Sequence, residues 1–155
     1  MKNKKIDQSI VLQQKEKLEQ ISQESEIVIL DFAERLGHPN PAVILVDNLE
    51  MSYFFGTVHA FMKDEPVDEE THLWIKVRIG YLLGAYLIQK YKGYWGINEN
   101  PESLQFGRIV LFALSPKDHH RTYPVDVFET ANFFVNQAPP RDLVQLIDQI
   151  EGIMK

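Results

Sequence analysis

The stretch that decides the fold is residues 66–98, which read PVDEETHLWIKVRIGYLLGAYLIQKYKGYWGIN. Apolar residues recur there with helical spacing up to about Lys92, and three carboxylates at positions 68–70 stand where the positive end of a helix dipole favours them. Gly93 is typical of a helix end, and Tyr94–Ile97 is typical of a strand. The sequence therefore predicts a central buried helix that leads directly into a sheet.

Two glycines in this helix predict how it packs. Gly80 and Gly84 lie four residues apart and share one face, on which another backbone or a large aromatic ring can approach closely. Tyr81 and Tyr86 lie five residues apart, about half a turn out of phase. We therefore expect at least one of these tyrosines to face away from the main packing face.

Helical patterns also precede the central stretch. Residues 6–36 form an amphipathic pattern that ends at Gly37. Asn40 and Pro41 are typical of a helix start, so residues 42–62 are predicted to form a second, largely buried helix. Residues 42–46 alone are also compatible with a short buried strand, because periodicity does not separate the two over so short a run.

Strands and two further helices complete the predicted chain. Residues 94–97, 104–114 and 121–123 predict antiparallel strands, and residues 98–103 predict a loop. Pro124 and the pair Pro139 and Pro140 are each expected to open a C-terminal helix. The last helix should bury one apolar stripe, formed by Leu143, Leu146, Ile147, Ile150 and Ile153.

The predicted fold class is α+β, with N-terminal helices, a small antiparallel sheet of about three strands and then two C-terminal helices. The 155 residues are expected to form a single globular domain, residues 1–155, with allowance for disorder in residues 1–8. This order of elements around residues 80–95 loosely resembles small bacterial domains of the accessory or immunity-protein kind. The resemblance is one of element order, and it assigns no functional residue.

Composition excludes several classes of partner and site. The net charge of -6 argues against nucleic-acid binding, which needs a basic surface. The longest apolar run is interrupted by Lys76, Arg78 and Gln89, so we expect no membrane span. The chain has no cysteine, which excludes disulfides and thiolate metal sites and fits a cytoplasmic location.

The candidate catalytic residues are two histidines and two carboxylates: His119, His120, Glu99 and Asp118. Such groups can act as bases or metal ligands if the fold brings them together. They match none of the sequence motifs of metal sites or nucleophilic enzymes, and neighbouring residues on a strand point to opposite faces. We therefore predict no catalytic site, no metal and no cofactor, and we interpret residues 118–121 as a solvated turn.

Aromatic residues are the more informative candidates for function. Tyrosine and tryptophan serve both cores and binding surfaces, because each combines an apolar ring with a polar group. Five of them surround the junction between the central helix and the sheet: Tyr81, Tyr86, Tyr91, Tyr94 and Trp95. The sequence thus suggests a groove here for a ligand or partner, although packing into the core is the stronger interpretation for Trp95.

The sequence favours a non-enzymatic, soluble binding or protein-interaction domain for an unknown protein or small-molecule partner. The alternative hypothesis is a small metal-assisted hydrolase with a His and carboxylate site over the sheet. Homodimerisation is a separate prediction, because Val11, Leu18 and Phe32, together with Ile21 and Val28, lie on one stripe of the N-terminal helix. Packing of that stripe within the chain is favoured over a dimer seam.

Overall fold

The computed structural model describes residues 3–64, 67–118 and 120–154 and confirms the predicted α+β fold. The sheet has the order β1-β2-β3 and is antiparallel throughout. None of the described helices is both long and apolar enough to cross a bilayer. The elements are α1 (Asn3–Arg35), a 3-10 turn (Pro41–Val43), α2 (Asn48–Asp64), α3 (Glu69–Tyr91), β1 (Tyr94–Ile97), β2 (Ile109–Leu114), β3 (Thr122–Val125), α4 (Val127–Asn136) and α5 (Leu143–Met154).

Helix α3 forms the centre of the fold, as predicted. Asp68 caps its start by accepting hydrogen bonds from the Thr71 hydroxyl and backbone N–H, and these bonds lower the pKa of Asp68. The prediction that Gly93 ends the helix is wrong by one residue, because the left-handed residue is Lys92, with φ 52°. Gly93 serves close packing instead, since a Cβ there would lie 2.5 Å from Leu111 Cδ1.

The shared face of Gly80 and Gly84 is a close-packing face, as the sequence predicts. A Cβ on Gly84 would lie 2.4 Å from Trp95 Cζ2, and a Cβ on Gly80 would lie 2.4 Å from Phe128 Cδ1. The rings of Trp95 and Phe128 stack with their centroids 5.8 Å apart. The two glycines therefore let one aromatic pair join α3 to both β1 and α4.

The sheet packs on α3 through its central strand. Trp95 of β1 lies opposite Leu111 of β2, which in turn lies opposite Val125 of β3. The predicted strand start at Leu104 is wrong, because residues 101–107 form turns and β2 begins at Ile109.

Helix α1 packs against the core through its C-terminal half. It begins at Asn3, a few residues before the predicted start at Ile6. Its 33 residues span about 50 Å, and they include residues 3–8. Phe32 is fully buried, with its ring edge-on to Phe54 and Trp74. Gly37 ends the helix with φ 80°, as predicted.

The predicted second helix over residues 42–62 is interrupted, so this prediction is wrong in part. Asn40 makes no side-chain cap, and residues 41–43 form a single 3-10 turn rather than a strand or a helix start. Asp47 starts α2 instead, because its carboxylate accepts hydrogen bonds from the N–H groups of Leu49 and Glu50 at 2.8 and 3.2 Å.

Both proline predictions are also wrong. Pro124 lies in the edge strand β3, where its missing N–H is tolerated, and Asp126 caps α4 by accepting from Glu129 N–H. Helix α5 begins only at Leu143. Its predicted stripe is correct for Leu143 and Ile150, which are buried, and for Leu146 and Ile147, which pack partly buried against the core. Ile153 faces solvent instead, and Met154 is buried.

Candidate functional site

The five aromatic residues predicted to form a groove are distributed over three environments. Tyr81 is buried, and its ring lies edge-on to both Trp95 and Phe128, at 6.1 and 5.2 Å. Burial, with a smaller effect of the Glu24 charge, raises the pKa of Tyr81. Tyr81 and Trp95 therefore belong to the packing between α3, the sheet and α4.

Tyr94 lies in a second environment, on the exposed side of β1. Its ring stacks on Phe112 of the neighbouring strand with centroids 5.4 Å apart, and half of the residue remains exposed. Such cross-strand aromatic pairs stabilise a sheet.

Tyr86 and Tyr91 lie in a third environment, where they surround one carboxylate of α5. Glu151 accepts hydrogen bonds from Tyr86 at 3.1 Å, from Lys90 at 2.9 Å and from the Tyr91 hydroxyl. Lys90 also donates to the Tyr86 hydroxyl at 2.9 Å. We call these four residues the Glu151 cluster; it joins the end of α3 to α5.

At neutral pH the two tyrosines of the Glu151 cluster are neutral, and Lys90 and Glu151 are charged. Burial raises the pKa of Tyr86 and, with the bond to Glu151, raises the pKa of Tyr91 to about 12. Bonds to Tyr86 and Glu151 raise the pKa of Lys90. Burial alone would raise the pKa of Glu151, but its three hydrogen bonds outweigh burial and lower it. A cluster of this kind is suited to joining helices rather than to proton transfer at neutral pH.

The candidate catalytic residues are placed at both ends of the sheet. Glu99 follows β1, whereas Asp118 and His120 lie in the turn after β2; His119 lies outside the described residues. The six-residue strand β2 separates these two ends by about 17 Å. Over the part of the chain that the structure describes, no group of three His, Cys, Asp or Glu residues could hold a metal ion.

Two further histidines join separate elements. His59 of α2 accepts a hydrogen bond from the Leu143 N–H at 3.2 Å and so links α2 to α5. His72 Nε2 lies 2.6 Å from Asn136 Oδ1 and so links α3 to α4.

A different part of the molecule forms a groove, beside the loop of residues 98–108. Buried Asn98 orders this loop, because its side chain donates to Ser103 at 3.0 Å and its backbone carbonyl accepts from Gly107 N–H at 2.7 Å. Gly107 has φ 77°, a conformation that favours glycine. Leu104 lies on this ordered loop and is 99% exposed.

The groove lies between this loop and α4 and has a volume of about 340 Å³. Phe133 of α4 belongs to its lining and is 64% exposed, so both large apolar side chains face solvent. The groove is defined by seven residues: Leu104, Gln105, Arg108, Asp126, Glu129, Thr130 and Phe133.

An ion cluster forms the polar part of the groove. Arg108 Nη1 donates to Asp126 Oδ2 at 3.0 Å and also contacts the Glu129 carboxylate. These bonds raise the pKa of Arg108. Asp126 is nearly buried because it also caps α4, whereas Arg108 and Glu129 remain substantially exposed. The groove thus presents apolar side chains next to charged and hydrogen-bonding groups.

The sequence indicates this groove only weakly. Its pattern places Leu104 in a predicted strand and Phe133 in a predicted helix. Adjacent Phe133 and Phe134 offer one signal, since two consecutive residues of a helix cannot both point to the same neighbour. Phe134 is buried and Phe133 is exposed.

Comparison with known proteins adds no assignment to this geometry. No family model, curated protein or solved structure matches the chain.

Proposed function

We propose that this chain is a non-enzymatic protein-interaction domain that binds a segment of a partner protein in the groove. The observation that carries the proposal is the position of Leu104, which is 99% exposed on a loop ordered by buried Asn98. Phe133 supplies a second exposed apolar side chain in the same groove. Neither side chain contributes much to the core, so both are available to a partner.

Covering these two residues supplies part of the free energy that specific binding needs. Fully burying a leucine or phenylalanine side chain contributes about 1.5–3 kcal/mol, so the pair can contribute about 3–6 kcal/mol. A dissociation constant of about 1 µM corresponds to about 8 kcal/mol, and polar contacts to Arg108 or Glu129 can supply part of the remainder. Because the loop is already ordered, binding loses less conformational entropy.

The alternative of a metal-assisted hydrolase receives less support from the geometry. Glu99 lies at one end of the sheet, and Asp118 and His120 lie at the other. Each of these three side chains is exposed, whereas catalytic groups usually act in a pocket that shields the reaction from water.

Cellular location and self-association belong to the same proposal. The lack of cysteine supports a reducing, cytoplasmic compartment. Homodimerisation through α1 has narrower support, because Val28 and Phe32 of the predicted seam pack against the core of the same chain. A light-scattering mass of one chain at high concentration would remove the dimer from the proposal.

The direct test is selection of binding peptides from a random display library on the full chain. Selected peptides are then titrated against the variant Leu104→Ser/Phe133→Ser. We expect this variant to lose at least about tenfold in affinity, which corresponds to about 1.4 kcal/mol. Circular dichroism verifies that the variant is folded.

A matched control is available on α2. Leu49 and Tyr53 are 81% and 62% exposed, and thus resemble Leu104 and Phe133 in type and exposure, but they lie on α2 and do not line the groove. The variant Leu49→Ser/Tyr53→Ser should bind the selected peptides as wild type does. Peptides whose binding depends on the α2 pair and not on the groove would overturn the proposal.

A further inference from the structure

The charges around the groove indicate which kind of partner it accepts. Its two supporting segments, residues 98–108 and 126–136, contain four carboxylates and one guanidinium. The four acids are Glu99, Glu102, Asp126 and Glu129, and the one base is Arg108. The groove therefore lies in an acidic part of a chain that already carries a net charge of -6.

The positive charge of Arg108 is compensated within the groove. Its Nη1 donates to both Asp126 and Glu129, so the three groups together carry one net negative charge. An anionic ligand would approach Arg108 against these carboxylates and against Glu102 of the same loop. A cationic group is attracted instead, and Glu129 has an exposed carboxylate to receive it.

Building on the proposed function, we infer that the occupant of the groove is a basic segment of another protein, in which a large apolar side chain lies next to lysine or arginine. The apolar side chain contacts Leu104 and Phe133, and the cationic group pairs with Glu129. Electrostatic complementarity of this kind increases association rates and excludes partners of the wrong charge. The same repulsion disfavours nucleic acids and anionic membrane surfaces.

A display library of random dodecapeptides tests this inference, with peptides retained only if Leu104→Ser/Phe133→Ser weakens their binding. We expect the retained peptides to be enriched in lysine or arginine beside a large apolar residue. Their affinity should fall about threefold to tenfold between about 50 and 300 mM salt, because salt screens exposed charges. Glu129→Gln should weaken binding by about threefold to tenfold.

A charge control separates local pairing from the general acidity of the chain. Glu70→Gln removes an exposed carboxylate at the start of α3, outside the two supporting segments. It should change the affinity by less than about twofold, since Glu70 does not line the groove and its exposed charge is screened. Equal effects of Glu70→Gln and Glu129→Gln would overturn the pairing with Glu129.

The other outcomes distinguish the partner class from the binding function itself. Neutral or acidic peptides that still require Leu104 and Phe133 would overturn the basic partner and leave the interaction domain in place. A library without any groove-dependent peptide would overturn both. Self-association that Leu104→Ser/Phe133→Ser abolishes would identify a second copy as the occupant, since Lys2, Lys4 and Lys5 form the chain's own basic cluster.

Discussion

Along α3, aromatic rings and charged groups contact other parts of the chain, whereas the two large apolar side chains of the groove face solvent. Trp95 and Phe128 fill the space above Gly84 and Gly80, and the Glu151 cluster joins α3 to α5. Leu104 and Phe133 remain exposed beside their ion cluster. The comparison teaches that residue type alone does not reveal whether a side chain serves folding or binding; the difference lies in what covers it.

Gly84→Ala should have a large effect on stability. The added Cβ would lie 2.4 Å from the Trp95 ring, and overpacking of this kind costs about 1–3 kcal/mol. Urea unfolding followed by circular dichroism measures the change in the free energy of unfolding.

Gly56 provides the matched control, because it also lies within a helix but an added Cβ there would meet nothing within 4 Å. Gly56→Ala should stabilise the protein by about 0.5–1 kcal/mol, since alanine favours helix. Stabilisation by both substitutions would contradict the close contact between α3 and Trp95.

The two charged clusters should respond differently to loss of one carboxylate. Glu151→Gln disturbs three hydrogen bonds to a mostly buried group and should lower the free energy of unfolding by about 1.5–3 kcal/mol. Glu129→Gln removes an exposed partner of Arg108 and should lower the free energy of unfolding by less than about 1 kcal/mol. Chemical denaturation measures the free energy of unfolding of both variants. A larger decrease for Glu129→Gln than for Glu151→Gln would contradict this prediction.

Alkaline pH should weaken the Glu151 cluster through Tyr91. The folded-state pKa of about 12 lies above the unfolded value of about 10. The contribution of the neutral hydroxyl is therefore complete below about pH 10 and is lost as the pH rises toward 12. Absorbance of tyrosinate at alkaline pH, compared between wild type and Tyr91→Phe, measures this titration. A Tyr91 signal that titrates near pH 10 would contradict the burial of Tyr91 and its hydrogen bond to Glu151.

The smallest effect on stability is expected for Leu104→Ser/Phe133→Ser. Both side chains are mostly exposed, and substitutions on the surface usually change the free energy of unfolding by less than about 0.5 kcal/mol. Thermal or urea unfolding checks this value. A loss of several kcal/mol would show that the two residues serve the fold rather than a partner.

Much of the fold could be predicted because it depends on periodicity and on glycine. The pattern of α3 and the spacing of Gly80 and Gly84 were sufficient to predict a buried helix with a close-packing face. The proline predictions failed because a proline is compatible with several local structures. Pro124 is tolerated in an edge strand, and the carboxylate of Asp126 two residues later decides where α4 begins.

The groove could not be predicted because it depends on contacts between distant parts of the chain. The hydrogen bonds of Asn98 that shape its loop exclude Leu104 from β2, and pairing of Arg108 with Asp126 joins residues 18 positions apart. The five aromatic residues at the junction do not share one surface for a related reason, since the helical phase places Tyr81 and Tyr86 against different neighbours.

The central claim is that Leu104 and Phe133 form a binding site that the fold itself does not need. The most direct test is isothermal titration calorimetry with a peptide that was selected on the wild-type protein. The peptide is titrated into the wild type and into Leu104→Ser/Phe133→Ser, after unfolding has shown that the two proteins are equally stable. We expect the variant to lose at least about tenfold in affinity, or about 1.4 kcal/mol. An unchanged affinity in a fully folded variant would contradict the claim.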